Sequence, residues 1–115
     1  MILAVLDDLI FTSKIRAAAS QLGATVVFAR SADGALAEMR KTPPSIVILD
    51  LNNPRTNPLG IVESMKEDSA LAAIPTVGYV SHVDVDRINA ARAAGVGEVL
   101  ARSAFSAQLA DILKR

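Results

Sequence analysis

Three carboxylates in this chain stand where apolar runs stop. ILAVL (residues 2–6) runs into the pair Asp7 and Asp8, and SIVILD (residues 45–50) ends in Asp50. An uninterrupted run of β-branched and Leu residues reads as a strand buried on both faces, delivering its terminal acid to the strand's carboxyl end. Acids that meet there repel one another, and each resists ionisation until a cation neutralises the group. A hard divalent ion such as Mg²⁺ meets that need, because it takes oxygen ligands and keeps exchangeable waters. With such an ion in place, an Asp carboxylate can attack a phosphoryl donor in line while the ion balances charge on the transferring group. All of this requires the three acids to share one edge of one sheet.

The pattern along the chain supplies that edge. After the first strand, Thr12 is a candidate cap for a helix with an apolar stripe of Ile15, Ala18, Ala19 and Leu22, closed by Gly23. TVVFA (residues 25–29) follows as a strand, then a helix capped by Ser31 or Asp33 with Ala32, Leu36 and Met39 inward, stopped by Pro43 and Pro44. Behind Asp50, Asn57-Pro58 starts a helix over 58 to about 68, with Gly60, Ile61, Val62 and Met65 inward. TVGYV (residues 76–80) is a fourth strand with Ser81 and His82 at its end. Asp84 caps a helix carrying Ile88, Ala91 and Ala94, which Gly95 ends. EVLA (residues 98–101) is a short fifth strand running into Arg102. Ser103 is a candidate cap for a last helix bearing Ala104, Ala107, Leu109, Ile112 and Leu113. Five βα units with right-handed crossovers predict an α/β fold, a doubly wound (βα)₅ domain with helices on both faces of a parallel sheet. Ligands in such sheets bind beyond the strands' carboxyl ends, where the strand order reverses.

Bulk properties agree. At 115 residues the chain is one domain filling residues 1–115, able to remove roughly two-thirds of its unfolded surface from water. It is 51 % hydrophobic but 3 % aromatic, which suits thin Ala- and Leu-rich helices on a β-branched sheet. Twelve basic and twelve acidic side chains cancel, so no global field draws the protein to nucleic acid or an anionic membrane. The absence of cysteine excludes thiol catalysis, thiolate metal sites and a disulfide framework. The short apolar start, with no basic segment before it, predicts neither a signal peptide nor a membrane span, and a cytoplasmic location is the default.

The strand ending at Asp7-Asp8, the strand VILD with Asp50 followed by LNNP, and the short strand ending near Arg102 together resemble a response-regulator receiver domain of the CheY-like kind, over the whole chain. The resemblance implies the sheet order 2-1-3-4-5. It implies that Asp50 is the phosphoacceptor, that Asp8 is the principal metal-binding acid with Asp7 assisting, and that Asn52 lends its backbone carbonyl to Mg²⁺. It also marks departures. Receivers usually carry a Thr or Ser hydroxyl where Val80 stands, with Ser81 one residue late and so directed to the other face unless the backbone bulges. A Lys is usual where Arg102 stands, and the guanidinium keeps the charge and binds phosphate with a bulkier fork. Ser103 replaces the Pro that commonly follows, and Val99 replaces an aromatic switch residue. The loop from Asp50 to Gly60 is about two residues longer than usual.

These features leave readings in different classes. One is a stand-alone receiver in a two-component phosphorelay, phosphorylated on Asp50 by a histidine kinase or phosphotransfer protein and, beyond self-phosphorylation and autodephosphorylation, not an enzyme. Another is a pseudo-receiver, an interaction module that signals without phosphorylation. A small Mg²⁺-dependent phosphohydrolase is disfavoured because Asn52 stands where a second acid is needed. Arg102 either contacts phosphate or pairs with Asp50 in a resting pocket. His82 is either a modulator at the pocket mouth or a solvated loop histidine. Asn52 and Asn53 otherwise read as turn formers. The resemblance places output on the fourth helix, fifth strand and fifth helix, in a monomer or weak dimer.

Overall fold

The computed structural model describes residues 1–81 and 84–115. Its elements alternate as β1 (Ile2–Val5), α1 (Leu9–Leu22), β2 (Val26–Ala29), α2 (Ala32–Lys41), β3 (Ile46–Asp50), a 3₁₀ turn (Pro54–Thr56), α3 (Pro58–Glu67), β4 (Thr76–Val80), α4 (Val85–Ala94), β5 (Glu98–Ala101), α5 (Arg102–Ala107) and α6 (Leu109–Leu113). The five strands pair in parallel in the order β2-β1-β3-β4-β5. The order reverses between β1 and β3, which places their carboxyl ends side by side.

Every residue of β1, β3 and β4 is buried, as continuous apolar runs in a sheet covered on both faces require. Alternation along the strands divides the core. Leu3, Val5, Val47, Leu49 and Val80 pack with Ala35 and Met39 of α2, Ile61 and Met65 of α3, and Ala91 of α4. Ile2, Ala4, Ile46, Ile48, Val77 and Tyr79 pack on the other face with Phe11, Ile15 and Ala19 of α1 and with Phe105, Leu109 and Ile112 of α5 and α6. No helix is long and apolar enough to cross a membrane among the described residues.

Helix ends follow local chemistry, with two corrections. Ser31, Asn57 and Asp84 cap α2, α3 and α4, and Gly23 and Gly95 close α1 and α4 with φ of 67° and 109°. Asn57 reaches φ 47° while its Oδ1 accepts from the Gly60 amide, a conformation that asparagine tolerates better than most residues. Thr12, expected as the cap of α1, is instead buried inside it. The cap is Asp8, whose Oδ1 accepts from the amides of Ile10 and Phe11 at 2.9 and 3.2 Å. The earlier start moves the inward stripe to Phe11, Thr12, Ile15 and Ala19, leaving Leu22 38 % exposed. Ser103 does not cap the last helix either, because that helix begins at Arg102 and the cap position falls on Ala101, which has no acceptor to offer. The helix is also divided at Gln108 (φ −99°, ψ 5°), and Phe105 rather than Ala104 or Ala107 anchors its first part.

Candidate functional site

Asp7, Asp8 and Asp50 line one cavity of about 310 Å³ beyond the carboxyl ends of β1 and β3, together with Asn52, Asn53, Pro54 and Arg55. The convergence expected from the strand pattern is therefore present. A wider groove of about 560 Å³ between α3 and α4, lined by Leu59, Glu63, Lys66, Glu67 and alanines of α4, lies away from these acids.

Each acid has a different setting. Asp50 is only 8 % exposed, and its Oδ1 accepts from the Asn52 amide at 3.0 Å. Burial pushes its carboxyl above the usual range, with the charges of Asp8 and Asp7 adding to the effect, while the Asn52 amide and Arg102 oppose it. Asp8 goes the other way. The Phe11 amide at the head of α1 holds its carboxyl below the usual range against the cost of burial, helped by Arg102 and the Ile10 amide. Its second oxygen accepts from Arg102 Nη2 at 2.7 Å. Arg102 pairs with Asp8 and not with Asp50, so the ion pair weighed from the sequence forms with a different acid. The guanidinium also lies over the Phe11 ring, 4.4 Å from its centroid.

Asp7 belongs to a network that the sequence reading missed. Asn53 Nδ2 donates to Asp7 Oδ1 at 2.6 Å, Arg55 Nη2 lies 3.0 Å from both Asp7 oxygens, and Asn53 Oδ1 accepts from the Arg55 amide at 2.9 Å. Asn53 is 7 % exposed. It is thus the N-cap of the 3₁₀ turn and a clamp on Asp7, more than a turn former. A basic residue inside the lengthened loop after Asp50 was the available signal. Thr56, fully buried, ties the same turn by donating to the Asn53 carbonyl at 3.2 Å.

The remaining candidates fall outside the acidic cluster. Ser81 is exposed, and its amide and hydroxyl both donate to Asn52 Oδ1, at 2.7 and 3.1 Å. Val80 and Val99 both meet the apolar core on the α2–α4 face, Val80 opposite Ala101 and Val99 opposite Gly78 across β4 and β5. Arg87 donates to the Leu51 carbonyl at 3.0 Å and so ties the start of α4 to the residue after Asp50. His82 lies outside the described residues. No cluster of three or more acidic or histidine side chains has the arrangement of a metal site among the described residues, and Arg55 and Arg102 are paired with Asp7 and Asp8.

No family model and no curated protein matches the sequence. Solved structures do. The chain is similar to the phosphorylated cyanobacterial phytochrome response regulator RcpA, with 26 % identity, coverage of 98 % of this chain and 87 % of that one, and a TM-score of 0.82. It is similar to the chemotaxis protein CheY4 of Vibrio cholerae, at 21 % identity, 99 % and 95 % coverage and a TM-score of 0.85. It is also similar to the Mn²⁺-bound form of response regulator Rcp1, at 18 % identity, 96 % and 89 % coverage and a TM-score of 0.81. With five parallel strands in the order 2-1-3-4-5, helices on both faces and an acidic cavity where that order reverses, the chain has the fold of a CheY-like response-regulator receiver domain.

Proposed function

We propose that this chain is a receiver in phosphorelay signal transduction, acting in the cytoplasm and accepting a phosphoryl group on Asp50. The observation that carries this reading is the setting of Asp50. It ends the central strand β3, lines an open cavity beside two further acids, and is not paired to the cation that stands nearby. An Asp50 oxygen would attack phosphorus. The bond from phosphorus to the leaving group, an imidazole nitrogen of a phosphohistidine or the acyl oxygen of a small phosphodonor, breaks and its electron pair departs with that group. Asp50 is left as an acyl phosphate. Arg102, whose side chain is 37 % exposed, would exchange Asp8 for a phosphoryl oxygen, a partner that suits its fork.

The oxygen donors fit a hard divalent ion in chemical type, and Rcp1 has a Mn²⁺-bound form. Asp7, Asp8 and Asp50 with the Asn52 carbonyl would hold Mg²⁺ once Arg55 and Arg102 release their acids. The ion would supply charge compensation for the transferred group. The phosphoryl donor would be a histidine kinase or phosphotransfer protein, and the output a protein contact through α4, β5 and α5.

A second reading is favoured by a specific observation. Arg102 and Arg55 neutralise Asp8 and Asp7 from within the chain, and Val80 and Val99 lack the hydroxyl and aromatic groups that would couple phosphorylation to the surface. A pseudo-receiver that works through protein contacts alone would look like this. Incubation with Mg²⁺ and acetyl phosphate or beryllofluoride separates the two. An adduct on the wild type that is absent from Asp50→Asn supports the first; a folded protein that forms none supports the second.

A further inference from the structure

Two buried side-chain polar atoms among the described residues lack a hydrogen-bond partner, the Tyr79 hydroxyl and Arg102 Nε. They belong to neighbouring side chains, the Arg102 guanidinium lying beside the Tyr79 ring. Tyr79 is 1 % exposed and is the register partner of Asp50 across β3 and β4. Its ring packs 4.9 Å from Phe11 and 4.7 Å from Phe105, and the Arg102 guanidinium lies 4.4 Å from the Phe11 centroid and 5.9 Å from that of Tyr79. Burial and the nearby Asp50 charge push the phenol's pKa up, so it remains a neutral hydroxyl with a proton to donate and lone pairs free to accept. The hydroxyl and Arg102 Nε both stay unpaired although the guanidinium lies beside the Tyr79 ring.

The two orphaned atoms are complementary. Nε–H can only donate, and the phenol oxygen can accept. A phenylalanine would fill the same space without burying an unpaired hydroxyl, which is destabilising. Val80, where the resemblance puts a hydroxyl, packs on the opposite face of the sheet. We infer that Tyr79 is a positioning residue for Arg102: a small side-chain adjustment pairs its hydroxyl with the Arg102 Nε–H, both unpaired in the structure, while its ring and that of Phe11 carry the guanidinium, keeping the cation on Asp8 and off Asp50. This holds for either reading of Asp50.

The test follows arginine Nε–H exchange by ¹⁵N NMR in the full chain, with the Arg102 signal assigned by its loss in Arg102→Lys. In the wild type this signal exchanges more slowly than that of exposed Arg92, and Tyr79→Phe accelerates it roughly five- to tenfold with the fold intact by circular dichroism. Phe105→Leu loosens the same aromatic cluster without removing a hydroxyl and leaves the rate within about twofold. An Arg102 Nε–H as fast as that of Arg92, an unchanged rate in Tyr79→Phe, or equal acceleration in Tyr79→Phe and Phe105→Leu each overturns the inference.

Discussion

Arg102 reaches from the start of α5 to Asp8 at the head of α1, with 2.7 Å between Nη2 and Oδ2, and so occupies an oxygen that a divalent ion would need. Removing the guanidinium frees that oxygen. Arg102→Ala is expected to bind Mn²⁺ about tenfold more tightly than the wild type, as measured by electron paramagnetic resonance of free ion. Because both partners are about one-third exposed, stability should change by no more than about 1 kcal/mol. Unchanged Mn²⁺ affinity would mean that Arg102 does not guard the acid.

Asp8 has two structural duties that different substitutions separate. Asparagine retains the cap on the Ile10 and Phe11 amides but loses the ion pair, whereas alanine loses both. Asp8→Ala should cost about 1 kcal/mol more than Asp8→Asn in urea denaturation at pH 7. The sign of the pH effect follows from the depressed carboxyl. Its stabilisation is complete above the ordinary value of 3.8 and is lost as pH falls through the lower folded value, so Asp8→Asn should flatten the acid limb of the stability curve.

Asp50 should behave in the opposite sense. Its folded carboxyl titrates above 3.8, so the native state holds a proton that the unfolded chain has released, and stability declines as pH rises from 3.8 through the folded value. Asp50→Asn removes that cost. Its Tm should exceed that of the wild type at pH 7, and the gap should narrow at pH 3. Calorimetric melts at the two pH values check this, and a gap independent of pH would contradict the assigned burial effect.

Gly78 lets the segment after Asp50 close over β4. A Cβ there would meet Leu51 side-chain atoms at 2.6, 2.7 and 2.9 Å, and Leu51 is 2 % exposed with little room to withdraw. Gly78→Ala should lose about 1–3 kcal/mol by overpacking, measured by denaturant unfolding. Gly23→Ala is a useful comparison, because nothing lies within 4 Å of its Cβ and only the φ of 67° opposes it.

The apolar runs and their punctuation were enough to determine the five strands, their parallel packing and the convergence of Asp7, Asp8 and Asp50, because strand period and right-handed crossovers leave few alternatives. The sheet order came with the resemblance carried by Asp50 and its neighbours. What each acid holds was decided only in three dimensions. The partners Asp7–Arg55 and Asp8–Arg102 are separated by 48 and 94 positions in the chain, and no local spacing encodes such pairs. The cap of α1 escaped for a related reason. Asp8 looks the same in sequence whether it binds a metal, a helix end or an arginine, and the tertiary fold assigns it the last two at once. Tyr79 read as one more strand residue until Phe11, Phe105 and Arg102 gathered around it.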